Sequence, residues 1–267
     1  MRFVLVGTGT TIPDAERGPA AFLVQSEGAN VLVDGGTGTT QRLVRLGVDV
    51  RTLDGGVYSH RHVDHCGDLV PILFTMKVGL DKPRLRDYPI WAGEGFAAHY
   101  DGLRVAYPRW LESNRYRVPI HELPLDGPGA AMLPGGVRLD TRPARHSEGA
   151  LHLRFTGPDG FTVVFSGDTG WSDALVELAA GVDALVTECA VPEPDEWDSH
   201  LWPAAVARLV REARPKRCVI THLYPTVDPE GALAEVRSTG VPVERGFDGQ
   251  ILTHEPPTRP PEQPRVA

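Results

Sequence analysis

The chain has 267 residues, of which 41% are hydrophobic and 23% charged, a composition typical of a soluble globular protein with one large or two small domains. Its formal net charge of −8 disfavours a general nucleic-acid binder, because such binding depends on Lys and Arg side chains that neutralise phosphates. Apolar runs stay well short of the roughly 20 residues that span a bilayer, so we expect no membrane association.

The first third of the chain predicts strands separated by glycine-rich turns. Apolar runs at residues 3–6, 21–25 and 31–34 have the length of strands, and the link between the last two is typical of a hairpin. Helical spacing follows at residues 41–46. A short apolar run at residues 57–58 then leads into a stretch rich in histidine.

Three imidazoles and a carboxylate lie within six positions of this stretch. His60 and His62 are two residues apart, so at the end of an extended strand their side chains leave on one face. Asp64 and His65 follow where the chain turns toward a predicted helix at residues 69–76, so they point elsewhere. Imidazole and carboxylate suit Zn²⁺, and also Mn²⁺ and Fe²⁺. Two ligand pairs aimed in different directions favour two metals over one.

The region from residue 77 to 118 is expected to be less regular, because three prolines interrupt it. Its seven aromatic side chains allow two interpretations: they cap the mouth of an active site, or they pack in the core. The aromatic residues are Tyr88, Trp91, Phe96, Tyr100, Tyr107, Trp110 and Tyr116.

The second half of the chain repeats one pattern, in which a buried-strand signal runs into a polar residue. Apolar runs at 161–165, 184–187 and 218–221 lead to Asp168, Glu188 and His222. Helices are predicted between them at 172–180 and 203–214. Strands that alternate with helices and deliver functional side chains at their carboxyl ends indicate an α/β protein with a site along the strand tips.

We expect one domain over residues 1–254 and a tail over residues 255–267 that is disordered or extended, because five of its thirteen residues are proline. The three cysteines are widely spaced, which argues against a disulfide framework and favours the cytoplasm. Cys66 adjoins His65 but is interpreted as a small buried core residue and not as a metal ligand. Cys189 and Cys218 are interpreted as buried core residues as well.

The His-rich stretch and the polar residues that follow later in the chain resemble the pattern of a known family. His60-Arg61-His62-Val63-Asp64-His65 is similar to the HxHxDH motif of the metallo-β-lactamase superfamily. His146, Asp168 and His222 follow in the order in which that superfamily supplies its remaining ligands, although His146 alone would be unremarkable. The resemblance extends over residues 1 to about 254.

The resemblance implies an αββα four-layer sandwich with a dinuclear site between its sheets. One metal ion would be held by His60, His62 and His146, and the other by Asp64, His65 and His222. Asp168 would bridge the two ions. The expected ions are two divalent metals, with Zn²⁺ first and Mn²⁺ or Fe²⁺ as alternatives.

Within the superfamily the sequence resembles the ribonuclease Z branch. Asp168 stands where the major β-lactamase subclass has Cys, and His62 stands where diiron flavoproteins have Glu. Thr187-Glu188-Cys189-Ala190 and Ser199-His200-Leu201 resemble two ribonuclease Z loops in which an acid and a His assist catalysis. Another interpretation of His200 is a structural residue before the helix that begins at Pro203.

One departure from that branch concerns length. Ribonuclease Z carries a long arm for the tRNA elbow between its third and fourth metal motifs, whereas only 21 residues separate His146 from Asp168. We therefore predict a hydrolase without the arm that acts on a small phosphodiester or related ester, through attack by a hydroxide shared between two metals. Asp64 would orient the hydroxide, His200 would donate a proton to the leaving oxygen, and Glu188 would hold His200.

Two alternative functions remain open. The first is a tRNA 3′-processing endonuclease, with a partner subunit or the basic 77–117 region replacing the arm; nucleic acid is thus not the favoured partner. The second is a metal-binding scaffold without catalysis. A homodimer with a second copy of the chain is a further alternative.

Overall fold

The computed structural model describes residues 1–79, 81, 83–194 and 198–254, and the predicted tail at 255–267 lies outside them. The first of two seven-stranded sheets has the order β14-β1-β2-β3-β4-β5-β6. Its first three pairings are antiparallel and its last three are parallel. The strands are β1 (Arg2–Gly7), β2 (Ala21–Ser26), β3 (Ala29–Val33), β4 (Gly55–Tyr58), β5 (Ile90–Gly93), β6 (Ile120–Leu123) and β14 (Ile251–Thr253).

The second sheet has the order β13-β12-β11-β10-β9-β8-β7 and also mixes the two pairing types. Strands β7 to β10 pair antiparallel, whereas β10 to β13 pair in parallel. Its strands are β7 (Gly129–Leu133), β8 (Val137–Pro143), β9 (Leu151–Thr156), β10 (Thr162–Phe165), β11 (Ala184–Glu188), β12 (Cys218–Thr221) and β13 (Val243–Arg245).

Helices cover the outer face of each sheet. On the first sheet they are α1 (Thr39–Arg45), α2 (Val63–Cys66), α3 (Leu69–Val78) and α4 (Phe96–Ala106), and on the second α5 (Asp173–Leu178), α6 (Pro203–Ala213) and α7 (Pro229–Arg237). Short 3₁₀ turns occur at Val50–Thr52 and Pro134–Gly136. Sequence signals set several helix starts: Ser172 caps α5, Asp228 caps α7, and α6 and α7 begin with proline.

Three apolar cores separate four layers, as expected for an αββα sandwich. The central core packs the inward faces of both sheets together, with Phe3, Phe22 and Phe155 among its fully buried side chains. Two outer cores pack each sheet against its helices. Because strands in both sheets are covered on two faces, they are apolar at nearly every position, as at β4 and β12. The predicted fold class is thus confirmed.

The region expected to be irregular is more ordered than the sequence indicated. Strand β5 and helix α4, which has eleven residues, both lie between Pro89 and Pro108. The two prolines bound these elements without interrupting them, since Pro89 precedes the strand and Pro108 follows the helix. The predicted strands elsewhere in both halves of the chain match observed strands within about three residues.

Most of the aromatic residues of that region belong to the core. Five of the seven are buried, whereas Tyr107 and Trp110 are 45% and 53% exposed. Core packing is therefore the correct interpretation for the five. The cysteines are buried as expected, with the Cys66 thiol donating a hydrogen bond to the Arg61 carbonyl at 3.2 Å. Within the described ranges, no helix is long and apolar enough to cross a membrane.

Candidate metal centre

The seven predicted ligands converge at one edge of the sandwich, where strands of both sheets end. The first sheet contributes the segment after β4, and the second contributes the segments after β8, β10 and β12. These ligands separate into two groups that share Asp168. They are His60, His62, Asp64 and His65 from the first sheet, and His146, Asp168 and His222 from the second.

The first group consists of His60, His62 and His146. Nδ1 of His62 lies 3.1 Å from Nε2 of His60 and 3.0 Å from Nε2 of His146. Asp168 Oδ2 lies 4.0 Å from the first of these Nε2 atoms and 3.9 Å from the second. The side chain of His62 is exposed, so this group faces the solvent side of the site.

Hydrogen bonds fix the tautomers of two of these rings. Ser59 Oγ donates to Asp34 Oδ2 and so accepts from His60 Nδ1, at 3.0 Å, while His146 Nδ1 donates to the Ser199 carbonyl at 2.9 Å. The Nε2 atoms of His60 and His146 therefore both present lone pairs to His62. A single proton on His62 cannot serve both well, whereas a cation among the three nitrogens would satisfy all of them.

The second group consists of Asp64, His65 and His222. His222 Nε2 lies 3.3 Å from Asp64 Oδ2 and 3.5 Å from Asp168 Oδ2, and His65 Nε2 lies 3.3 Å from Asp168 Oδ1. Among the described residues, the buried His65 Nε2 has no hydrogen-bond partner. Because Nδ1 of this ring donates to Asp34, Nε2 is the nitrogen left to bind a metal.

Asp34 organises the first sheet's half of the site, although the sequence did not single it out as a site residue. Its Oδ1 accepts from the Ser59 backbone N–H at 2.7 Å, and its Oδ2 accepts from Ser59 Oγ and His65 Nδ1, both at 2.7 Å. One fully buried carboxylate thereby orients two rings. The signal that could have identified it is Asp at a strand end before Gly35-Gly36, in the same sheet as the His-rich segment.

The backbone around Asp34 is also specialised. Asp34 has φ of 53°, in the left-handed region that costs energy for a residue with a Cβ. At Gly36 a Cβ would lie only 2.1 Å from the Asp64 carbonyl oxygen, so α2 packs directly on this turn. His222 has φ of 52° as well. Strained backbone therefore occurs on both sheets next to the ligand set.

The pKa values of the ionisable groups in the site depend on both burial and neighbouring charges. Burial, together with the neighbouring His65, lowers the pKa of His60 well below its usual value. Burial alone would raise the pKa of Asp168, but the surrounding imidazoles, first among them His222, lower it far below the ordinary range. The central carboxylate is thus ionised and His60 is neutral, as ligands of a cation must be. Burial alone would lower the pKa of His65, but the Asp168 and Asp34 carboxylates raise it well above its usual value, so a metal bound there would displace a proton.

Glu188 and His200, the two residues predicted to assist catalysis without binding metal, form a pair beside the first group. His200 also lies with His146 and Asp168 in an arrangement that could hold a metal ion. Glu188 is fully buried at the end of β11, and His200 Nδ1 lies 3.1 Å from Oε2 and 3.2 Å from Oε1. The backbone N–H groups of Thr169 and Leu201 also donate to this carboxylate. Burial raises the pKa of Glu188, opposed by its hydrogen bond with His200.

The position of His200 relative to the ligands is set by neighbouring loops. Its ring centroid lies 5.0 Å from that of His146 and 6.2 Å from that of His222. Ser199 accepts the His146 bond described above, and Arg145 forms an ion pair with Asp198 at 2.6 Å. The structure therefore brings Glu188 and His200 to the ligand set.

The segment between His146 and Asp168 is short and regular. It contains β9, a tight turn in which the Gly157 N–H donates to the Phe161 carbonyl at 2.9 Å, and β10. The two strands pair antiparallel along their length. Every residue of this segment is described, and it forms a hairpin without a protruding arm.

Comparisons with known proteins agree with this arrangement. The family model described as beta-lactamase superfamily domain matches residues 29–223. A ribonuclease Z of Mycobacterium bovis is 30% identical over 250 residues, covering 86% of this chain and 88% of that protein. Among solved structures, the metallo-beta-lactamase fold protein YhfI of Bacillus subtilis has a TM-score of 0.82 at 21% identity, covering 94% and 98% of the two chains.

A diphosphatase from the PhnP family has a TM-score of 0.71 at 20% identity, with 95% of this chain and 98% of that chain covered. At these identities the structural likenesses establish the fold alone, whereas the family model and the mycobacterial relative establish the family. The motif, the fold and the sequence matches all lead to one assignment. The chain belongs to the metallo-β-lactamase superfamily, in its ribonuclease Z-like branch.

Proposed function

We propose that this protein is a dinuclear metal-dependent hydrolase that cleaves a phosphodiester or related ester of modest size. The observation that carries the proposal is the convergence of two ligand groups on Asp168, with a simple hairpin where an RNA-binding arm would otherwise stand. Membership of a family of metal-dependent hydrolases supports the reaction class.

The residues fit two divalent cations. His60, His62 and His146 would hold one, Asp64, His65 and His222 the other, and Asp168 would contact both. Two such ions supply Lewis-acid stabilisation of developing negative charge and a water of lowered pKa. Nitrogen and oxygen ligands without thiolate favour Zn²⁺, with Mn²⁺ or Fe²⁺ as alternatives.

Three side chains would assist the reaction by accepting or donating hydrogen bonds or protons. Asp64 keeps one carboxylate oxygen 3.3 Å from His222 and would accept a hydrogen bond from the attacking water. His200 would donate a proton to the leaving oxygen or stabilise the charge that develops there. Glu188 would hold the His200 ring by accepting from Nδ1, which leaves Nε2 for the substrate.

A small substrate is supported by charge and shape. The chain carries 35 acidic against 27 basic residues, which disfavours a long polyanion. This interpretation agrees with the presence of a diphosphatase among the proteins of similar fold, at an identity too low to transfer its activity. We place the chain in the cytoplasm as part of the same proposal, with three buried free cysteines in support.

The test is hydrolysis of bis-p-nitrophenyl phosphate by the full chain reconstituted with Zn²⁺ or Mn²⁺. Metal-dependent turnover that Asp64→Ala abolishes is the expected result. Turnover no higher than that of the Asp64→Ala variant would rule out the phosphodiesterase. Two bound metal equivalents without hydrolysis of phosphodiesters, esters, thioesters or lactones would instead favour a binding scaffold.

A second candidate function is tRNA 3′ processing. The observation that favours it is the 30% identity to a mycobacterial ribonuclease Z over 86% of this chain. Cleavage of a precursor tRNA directly after its discriminator base separates this candidate from the first. A chain that cleaves bis-p-nitrophenyl phosphate and leaves precursor tRNA intact has the preferred function.

A further inference from the structure

A cavity of about 330 Å³ is lined in part by Asp64, one of the proposed metal ligands. Two prolines, the exposed Val63 and two threonines contribute to its wall. One basic side chain lines it, that of Arg42 on α1. The lining residues are Thr11, Pro13, Asp14, Gly18, Pro19, Thr37, Arg42, Val63 and Asp64.

The Arg42 guanidinium packs against Gly18, and both residues line the cavity. A Cβ at Gly18 would fall 1.8 Å from Arg42 Cζ and Nη1, so the absence of a side chain at position 18 makes room for the guanidinium. Nη2 donates to the carbonyls of Thr37 at 3.0 Å and Pro19 at 3.4 Å. Both carbonyls belong to cavity-lining residues, which fixes the orientation of the planar group.

The positive charge of Arg42 is only partly compensated. Its two carbonyl acceptors are neutral, and Nε has no hydrogen-bond partner in the part of the chain that the structure describes. The nearest carboxylate, that of Asp248, lies 3.9 Å from Nε and already accepts from the Thr8 N–H, the Thr8 hydroxyl and the Gly18 N–H. Nε is itself buried, but Nη1 makes no hydrogen bond with the described residues, so this guanidinium in the cavity wall keeps N–H groups that suit an anionic ligand.

We propose that the Arg42 cavity binds a second anionic group of the substrate, a phosphate carried next to the phosphodiester that is cleaved. This inference rests on the proposed function and narrows its substrate class to small phosphodiesters that carry a second phosphate. An example is a nucleoside with a phosphodiester on one side of its sugar and a phosphate on the other; addition of water would release the esterified alcohol and leave a nucleoside bisphosphate. The apolar wall of Pro13, Pro19 and Val63 would contact the sugar or base between the two phosphates.

Two carboxylates, those of Asp14 and Asp64, line the cavity together with Arg42. Asp14 lines the rim of the cavity, and its carboxylate accepts from the N–H groups of Glu16 and Arg17. Those bonds hold the carboxylate against its own loop. Because like charges repel, a substrate with several phosphates would be disfavoured beside these carboxylates, and a single phosphate next to Arg42 is the expected anion.

Calorimetric binding of thymidine 3′,5′-bisphosphate and of the two thymidine monophosphates to the metal-reconstituted full chain tests the inference. We expect the bisphosphate to bind about tenfold more tightly than either monophosphate, the usual effect of one charge-assisted contact. Arg42→Gln should remove that preference, Arg42→Lys should keep part of it, and the metal content should stay the same. Arg45→Gln, one turn further along the exposed side of α1, is the matched control and should keep the full preference.

A wild-type chain without a preference for the bisphosphate, or an Arg42→Gln chain that retains it, would overturn the inference. Failure of the proposed function has a different signature: the Arg42-dependent preference would be present, while bis-p-nitrophenyl phosphate would stay intact. Hydrolysis with equal binding of all three nucleotides would overturn only the inference about Arg42.

Discussion

His65 Nδ1 lies 2.7 Å from Asp34 Oδ2, and the same oxygen accepts from Ser59, whose hydroxyl in turn accepts from His60. A single buried carboxylate thus orients one ring from each ligand group. The two groups are coupled through the first sheet at Asp34 as well as through the second sheet at Asp168.

We expect Asp34→Asn to weaken metal binding by roughly 10- to 100-fold, because partners that orient metal-bound His rings contribute about that much to affinity. Competition with a chromophoric chelator measures the change. Asp68→Asn is the control, since this buried carboxylate accepts from the N–H groups of Gly38 and Thr40 and contacts none of the ligand rings. Equal metal affinity in Asp34→Asn and wild type would contradict the role of Asp34.

Replacing His200 with Ala should lower kcat by roughly 10²- to 10⁴-fold, the usual contribution of a general acid, and leave two metals bound. Glu188→Gln should give a smaller loss, because the ring stays in place without its ionic partner. Steady-state kinetics with metal analysis distinguishes the two effects. His121→Ala, an exposed position on β6, should retain full kcat. Loss of a metal in His200→Ala would show that His200 is a ligand and not an acid.

Gly170 is the contact point between the Asp168 turn and the segment that carries His200. A Cβ at this position would lie 1.9 Å from the Asp198 carbonyl oxygen. Gly170→Ala should displace that segment and lower kcat by up to about 100-fold, since a displacement near 1 Å can have that effect. Gly102→Ala, in α4 where a Cβ meets open space, should keep its activity and gain stability. Unchanged kcat in Gly170→Ala would contradict this packing.

Asp183 stabilises the start of the sheet strands that carry Asp168 and Glu188. It accepts from the Thr162 N–H and hydroxyl, each at 2.8 Å, and from Lys216 at 2.7 Å. Burial would raise the pKa of Asp183, but Lys216 and Thr162 lower it to about 2. A lowered carboxyl pKa stabilises the fold above the unfolded pKa and is lost as pH falls through the folded pKa.

Asp183→Asn should therefore reduce the free energy of unfolding by about 1 kcal/mol at pH 7, after allowance for solvent screening of the ion pair. The difference between variant and wild type should shrink as pH falls from about 4 to about 2. Urea denaturation at several pH values measures both. A difference that stays constant over that range would mean that the carboxylate charge plays no part.

The site residues that the sequence predicts are those whose spacing, or whose place at the end of an apolar run, indicates where they lie. His60 and His62 occur two apart after a strand, and Asp168 and His222 end apolar runs, so their meeting at strand ends follows from elementary geometry. His146 has no local signal, and only the order of motifs in a resembling family identifies it.

Other features depend on contacts between distant segments, which no local pattern encodes. In the sequence Asp34 is typical of a turn. Its contacts with Ser59 and His65 form only because β3 and β4 lie side by side in parallel. In the sequence Arg42 is an ordinary basic residue of a helix. Its packing against Gly18, which lies 24 positions earlier, is known only from the structure. The prolines alone do not predict β5 and α4, because a proline that bounds an element and one that interrupts it look the same in the sequence.

We propose that two metal ions held by this ligand set make the protein a phosphodiester hydrolase. The most direct measurement is the rate of bis-p-nitrophenyl phosphate hydrolysis as Zn²⁺ or Mn²⁺ is titrated into the metal-free chain. We predict that the rate rises until two equivalents are bound and that Asp168→Ala stays inactive throughout. A rate independent of added metal, or one equal to that of Asp168→Ala at every point, would contradict the claim.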